Sequence, residues 1–154
     1  MLMHTLKNST VAYKTLIKSF VLSLTLMFAS QSSADSLQTA IEAFANKDYQ
    51  QAKISFLKLA QDDDKSNDMI AQFGLAKMYR FGLGMDVNYS EALKWYQLAA
   101  QNSYGVAQSH LGEMYEYGHG VKKDIDMAKS WYQIACSNRC SEGCRSLSRL
   151  NDSR

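Results

Sequence analysis

Residues 107–135 read AQSHLGEMYEYGHGVKKDIDMAKSWYQIA, and residues 71–99 read AQFGLAKMYRFGLGMDVNYSEALKWYQLA. Set 36 residues apart, the two stretches pair Gln72 with Gln108, Met78 with Met114, Tyr79 with Tyr115, Gly82 with Gly118 and Gly84 with Gly120. The pairing continues through Ala92 and Ala128, Trp95 and Trp131, Tyr96 and Tyr132, and Ala99 and Ala135. Identity at one fixed offset over this length marks an internal repeat, and a period of about 20–50 residues marks a stacked array.

Each copy reads as a helix hairpin. Ala71, Leu75, Met78 and Tyr79 recur at helical spacing in the first helix. Gly82-Leu83-Gly84 then stops it, because glycine enters the left-handed conformation that closes a helix end. Ala92, Trp95, Tyr96 and Ala99 form one stripe of the second helix. The alanines let neighbouring helices approach and the aromatic rings fill the space between layers. The second copy repeats the stripe with Ala128, Trp131, Tyr132 and Ala135.

A weaker unit precedes them. Ala40, Ile41 and Phe44 form one short face, Asn46-Lys47-Asp48 a turn, and Tyr49, Ala52, Phe56 and Leu59 the next face. Residues 62–68 (DDDKSND) read as a solvated link to the first full copy. A shorter, more polar segment from Ser141 to Leu150 puts Leu147 at the Leu111 position and suits a terminal cap.

The chain begins with Lys7, Lys14 and Lys18 and no acid through residue 19, followed by an apolar run from Phe20 to Ser30 and the small residues Ser32-Ser33-Ala34. This is the three-part pattern of a secretory signal cleaved after Ala34. The apolar run falls short of the roughly 20 residues a transmembrane span needs. The expected location is periplasmic or secreted, with no stable membrane insertion after cleavage. The whole chain carries a formal charge of +2, whereas residues 35–154 carry 14 basic and 15 acidic residues, a net −1. That balance gives no support to a nucleic-acid binder, which concentrates basic charge. With no proline and 46% hydrophobic residues, a helical, core-bearing domain is expected.

The two copies resemble Sel-one-like repeats, close relatives of tetratricopeptide repeats. The matching pattern is A…LG.MY..G.GV..D...A..WY..A, nearly complete at 107–135. The copy at 71–99 departs from it at Gly74-Leu75-Ala76 and at Met85. The unit at 36–64 is more similar to a plain tetratricopeptide motif, with Asp64 where that motif has proline. The expected fold is all-α: a short right-handed α-solenoid of stacked antiparallel helix hairpins. Its domain would cover 35–154, divided into a tetratricopeptide-like unit at 36–68, repeats at 69–104 and 105–140, and a capping helix at 141–151. The resemblance, of a secreted or periplasmic bacterial type, implies a non-catalytic adaptor that binds another protein or peptide at the bacterial envelope.

Three cysteines remain: Cys136, Cys140 and Cys144. The first and last occupy the Ala100 and Gln108 positions of the repeat. Their C-x7-C spacing after an alanine is similar to a cysteine-rich branch of the family, and the resemblance implies a Cys136–Cys144 disulfide. Cys140 is then a free thiol, an intermolecular partner or the true partner of Cys136. A free Cys140 would also permit a redox role.

No motif for metal, cofactor or catalysis emerges. The cysteine spacing lacks the C-x2-C of zinc sites and no histidine lies close by. The Gly-x-Gly pairs follow helices rather than strands, unlike phosphate loops. The Asp62–Asp64 run lacks the alternating ligands of a calcium loop. His110 has no catalytic partner placed by motif, and His119 sits between two turn glycines. Cysteine-rich relatives suggest one alternative activity, binding or weak hydrolysis of β-lactams or peptidoglycan fragments. The sequence lacks the histidine set of zinc enzymes.

Partner contact is expected on the concave face lined by the first helices, at positions the repeat pattern leaves open. These are Phe73, Lys77, Arg80 and Phe81 in one repeat, and His110, Glu113, Glu116 and Tyr117 in the next. Each set shares a helix face. The first is basic and aromatic, the second acidic and aromatic, which suits a partner of both charge signs. Two competing readings are that Phe73 and Phe81 pack against the preceding hairpin, and that the charged residues pair with one another.

Overall fold

The structure, a computed structural model, describes residues 36–60 and 65–152, without side-chain detail at 65–68. The segment read as a signal, 1–34, lies outside the described residues. Seven helices follow in order among those described, with no strand. They are α1 (36–45), α2 (Tyr49–Leu59), α3 (Lys65–Phe81), α4 (Tyr89–Gln101), α5 (Gly105–Tyr117), α6 (Ile125–Ser137) and α7 (Ser141–Asp152). The link read at 62–68 is shorter than expected, since α3 already begins at Lys65. The chain has no proline to stop the helix extending backward.

The second helix of each hairpin starts on the same device. The side chains of Asp48, Asn88 and Asp124 accept hydrogen bonds from the backbone N–H groups of Gln51, Glu91 and Met127. Each satisfies one of the free donors at a helix start, a contribution of about 1 kcal/mol. Asn88 and Asp124 are 36 residues apart, but Asp48 and Asn88 are 40 apart. The difference is the turn: three residues join α1 to α2, where seven join α3 to α4 and α5 to α6.

Those longer turns use two glycines for two purposes. Gly82 and Gly118 (φ 66° and 75°) end the helices in the left-handed conformation. Gly84 and Gly120 are also left-handed, and they lie where no side chain fits. A Cβ on Gly84 would fall 2.4 Å from the Tyr49 Cβ, and one on Gly120 2.6 Å from the Tyr89 carbonyl oxygen. The second glycine therefore lets each turn rest on the start of the preceding second helix. Gln50 adds a hydrogen bond to the Gly84 carbonyl oxygen at 3.0 Å.

Packing runs along the array: α2 on α3, α3 on α4, α4 on α5, α5 on α6 and α6 on α7. The stripe expected on the second helices forms the core, with Ala92, Tyr96, Ala99, Ala128, Tyr132 and Ala135 fully buried. Leu111 and Met114 of α5 meet Ala92, Tyr96 and Ala99, while Leu75 and Met78 of α3 pack with Ala52, Phe56 and Leu59 of α2. Each such aliphatic side chain contributes about 1.5–3 kcal/mol by leaving water. The glycine that differs between repeats also has a packing role. Gly112 lies against the Tyr132 ring, while Gly74 lies against Phe56.

The last full hairpin is clipped to α7 by a Cys136–Cys144 disulfide, with Cα atoms 4.6 Å apart. Cys140 is a half-buried free cysteine between them.

Candidate functional site

The first helices α3 and α5 bring three of the expected contact residues together. Nη1 of Arg80 lies 2.6 Å from Oε2 of Glu113. Nδ1 of His110 sits 2.9 Å from the same Arg80 nitrogen and 3.0 Å from the same Glu113 oxygen. With hydrogen on Nε2, the imidazole accepts from Arg80; with hydrogen on Nδ1, it donates to Glu113. The repeat spacing makes the cluster possible. Arg80 and Glu113 are 33 residues apart, so they meet across successive hairpins.

The cluster is held in an aromatic frame. The His110 ring packs against both Phe73 (centroids 5.5 Å apart) and Tyr96 (5.3 Å), which lie 5.9 Å from each other, so the three rings form a triangle. Tyr104 meets Phe73 edge-on at 5.3 Å. The Tyr96 hydroxyl is buried beside the Arg80 guanidinium without a well-formed hydrogen bond. Burial pushes the Tyr96 phenol up to about 12, against the opposing pull of Arg80. Burial would also raise the Glu113 pKa, but hydrogen bonds and charge from His110 and Arg80 outweigh it and hold the carboxyl below its usual range. Arg80 moves the other way: burial would lower its pKa, and Glu113 overcomes this and keeps the guanidinium charged.

Glu116 has a different fate from Glu113. It is 5% exposed. Its Oε2 accepts from the Tyr132 hydroxyl at 2.8 Å, and Arg149 of α7 donates to both carboxylate oxygens at 2.8 and 2.7 Å. Burial favours the neutral acid, but the bonds from Arg149 and Tyr132 prevail and hold its pKa down. Burial and the bond to Glu116 together push the Tyr132 phenol well above its usual range. Expected on the contact face, Glu116 is instead enclosed, because α7 covers that end of α5.

The remaining residues divide by exposure. Phe73 is half-buried, packed against Tyr96 of its own hairpin and Tyr104 and His110 of the next, whereas the packing reading placed it against the preceding hairpin. Phe81 and Tyr117 are 52% and 57% exposed at equivalent positions of the two repeats. The Arg80 guanidinium lies 5.0 Å over the Phe81 ring. Lys77 places its Nζ 5.5 Å from the centre of the Phe44 ring and 5.8 Å from that of Phe73. His119 stacks on Tyr89 at 4.6 Å, inside the turn that Gly120 seats. Tyr96, Tyr104 and Arg149 are site neighbours that sequence reasoning did not assign. Tyr96 read as core, and Arg149 lies in a cap with no repeat to align it.

Among the described residues no group of three or more His, Cys, Asp and Glu side chains is placed to hold a metal ion. No described helix is long and apolar enough to cross a membrane.

The Sel1 repeat profile matches residues 70–104 and 105–139, the same two copies whose hairpins build this cluster. The chain is a Sel1-like repeat protein. Among solved structures it is similar to a Sel1 repeat protein from Oxalobacter formigenes, with 30% identity and a TM-score of 0.65 over 73% of this chain. It is also similar to c5321, a protective antigen present in uropathogenic Escherichia coli strains and displaying an SLR fold, with 25% identity and a TM-score of 0.70 over 79% of this chain. The chain covers only 45% of the first neighbour and 26% of the second, both of which are longer chains. No curated protein matches it in sequence. Sel1 repeats commonly act as protein-interaction modules and are generally non-catalytic.

Proposed function

We propose that residues 35–154 form a non-catalytic adaptor of the bacterial envelope that receives a protein or peptide on the face lined by α3 and α5. The observation that carries this is the pair Phe81 and Tyr117. Two large rings, one repeat apart, stand more than half exposed beside a charged cluster that is already packed and hydrogen-bonded. Exposed aromatics next to a fixed polar frame are the side chains that supply most of the energy in protein interfaces. The Lys-rich start, the apolar run and Ala34 support export, and a disulfide suits an oxidising compartment.

Affinity capture from a bacterial envelope extract tests the proposal. The expected result is a partner retained by the wild-type chain and lost with Phe81→Ser plus Tyr117→Ser. Equal retention by both proteins overturns the assignment of this face.

β-Lactam or peptidoglycan-fragment binding remains the second reading, and the Cys136–Cys144 bridge at C-x7-C spacing is the feature in its favour. Turnover of a reporter β-lactam, or a covalent mass shift, would establish it.

A further inference from the structure

Charge on the contact face is largely consumed within the protein. Arg80 is held by Glu113 and His110, and Glu116 by Arg149 and Tyr132. Lys77 is the exception. It lies between the Phe44 and Phe73 rings, and no carboxylate pairs with it among the described residues. The residue at its position in the next repeat is Glu113, whose carboxylate turns to Arg80. A partner carrying both charge signs, as the sequence suggested, would therefore meet one open cation and no open anion at these positions.

Phe81 follows Lys77 by four residues on α3, one turn further along the same face. One side of its ring faces the Arg80 guanidinium, and half its surface is open to solvent. The Cβ atoms of Lys77 and Phe81 are thus about 5–6 Å apart, with the Lys77 ammonium leaning back toward Phe73, one turn in the other direction.

Resting on the function proposed above, we infer that this face selects a partner protein segment with an Asp or Glu side chain for Lys77 and a large apolar side chain, one helical turn away, for Phe81. The rings of Phe44 and Phe73 fix the ammonium by cation–π attraction, and no carboxylate among the described residues neutralises it. A lone ammonium is a point charge, which an acidic side chain reaches on its own stem. The Arg80 fork, which would bind any carboxylate bidentately, is already engaged by Glu113 and His110, so Lys77 is the cation left for a partner's carboxylate.

Selection of a random peptide library on the folded full-length chain tests the inference. Selected peptides should be enriched in Asp or Glu close to a large apolar residue. Replacing the selected internal Glu by Gln should weaken binding about 2- to 5-fold, as for an exposed ion pair. Amidating the peptide C-terminus should leave binding unchanged. Lys77→Glu should replace the acidic enrichment by Lys and Arg, with the helical circular dichroism unaltered. If Lys77→Glu leaves the acidic enrichment in place while Phe81→Ser plus Tyr117→Ser abolishes binding, this inference fails and the interaction face stands. Loss of binding on amidation also overturns the inference. Peptides insensitive to all these substitutions, or a selection that yields none, overturn both.

Discussion

Gln108 and Cys144 occupy the same position in successive repeats, and each ties its helix to the end of the helix before it. Gln108 does so with a hydrogen bond from Nε2 to the Ala100 carbonyl oxygen at 3.0 Å. Cys144 does so covalently, through Cys136, which is the residue equivalent to Ala100. Where the array continues, a hydrogen bond suffices, because the next hairpin packs over the joint. At the end nothing follows α7 in the described residues, and the joint is cross-linked.

The bridge spans eight residues of sequence. Closing a loop this short restricts the unfolded chain by about 2–3 kcal/mol. Replacing Cys136 and Cys144 together by Ala should lower the urea-unfolding free energy by that amount. Amide exchange should accelerate first in α7. Gln108→Leu should cost about 1–3 kcal/mol, because it leaves the Ala100 carbonyl oxygen without its bond and Asn138 without its acceptor.

Gly112 gives a packing prediction. A Cβ placed there would stand 2.5 Å from the Tyr132 ring, inside any real contact distance. Ala76, at the same position one repeat earlier, is accommodated and fully buried in the cluster that contains Tyr96. Gly112→Ala should therefore destabilise by about 1–3 kcal/mol, in spite of the better helix propensity of alanine. The same exchange at an exposed helical glycine would be stabilising, so the sign of the change in a thermal melt is decisive.

The repeat, the helix order, the turn glycines and the buried stripe were legible because each leaves a periodic mark in the sequence. The Arg80–Glu113 contact was half legible: the two faces could be drawn, but whether the residues faced a partner or one another depends on how the hairpins stack. Glu116 was illegible for a clearer reason. It lies three residues from Glu113 on the same helix face, and only the position of α7 separates their fates. A terminal cap breaks the period, so nothing in the alignment of repeats places Arg149 over Glu116. The 40-residue spacing of Asp48 and Asn88 escaped for a similar reason, since the shorter turn shifts the register of the first unit.

Glu113 and Glu116 predict acid sensitivity. Both pKa values are held below the ordinary carboxylate value in the folded protein. A group depressed on folding stabilises the protein fully above its unfolded value, about 4.3 for Glu, and loses that contribution as pH falls through the folded value. The melting temperature should therefore fall as pH drops from 5 to about 3. Glu116→Gln should lower stability at neutral pH and flatten this acid limb. Tyr132→Phe removes one of the bonds that hold the carboxylate and should cost about 1.5–3 kcal/mol at pH 7.

Ser103 and Arg139 are equivalent residues in the left-handed region, with φ of 60° and 63°. Both lie in the turn after a second helix, where their N–H groups donate to Ala100 and Cys136 carbonyl oxygens at 3.0 Å. A non-glycine residue pays about 1–2 kcal/mol for this conformation, while glycine pays instead in unfolded-chain entropy, about 0.4–1 kcal/mol. Ser103→Gly should therefore stabilise the protein by roughly 0.5–1 kcal/mol. Arg139→Gly should gain more, because Arg139 lies inside the loop that Cys136 and Cys144 close, and the bridge already restrains the unfolded chain there. Under reducing conditions that restraint disappears, and the two substitutions should give equal gains. Urea titrations of both variants with and without reductant measure the difference, and a gain at Arg139 that does not depend on the bridge would refute the entropic account.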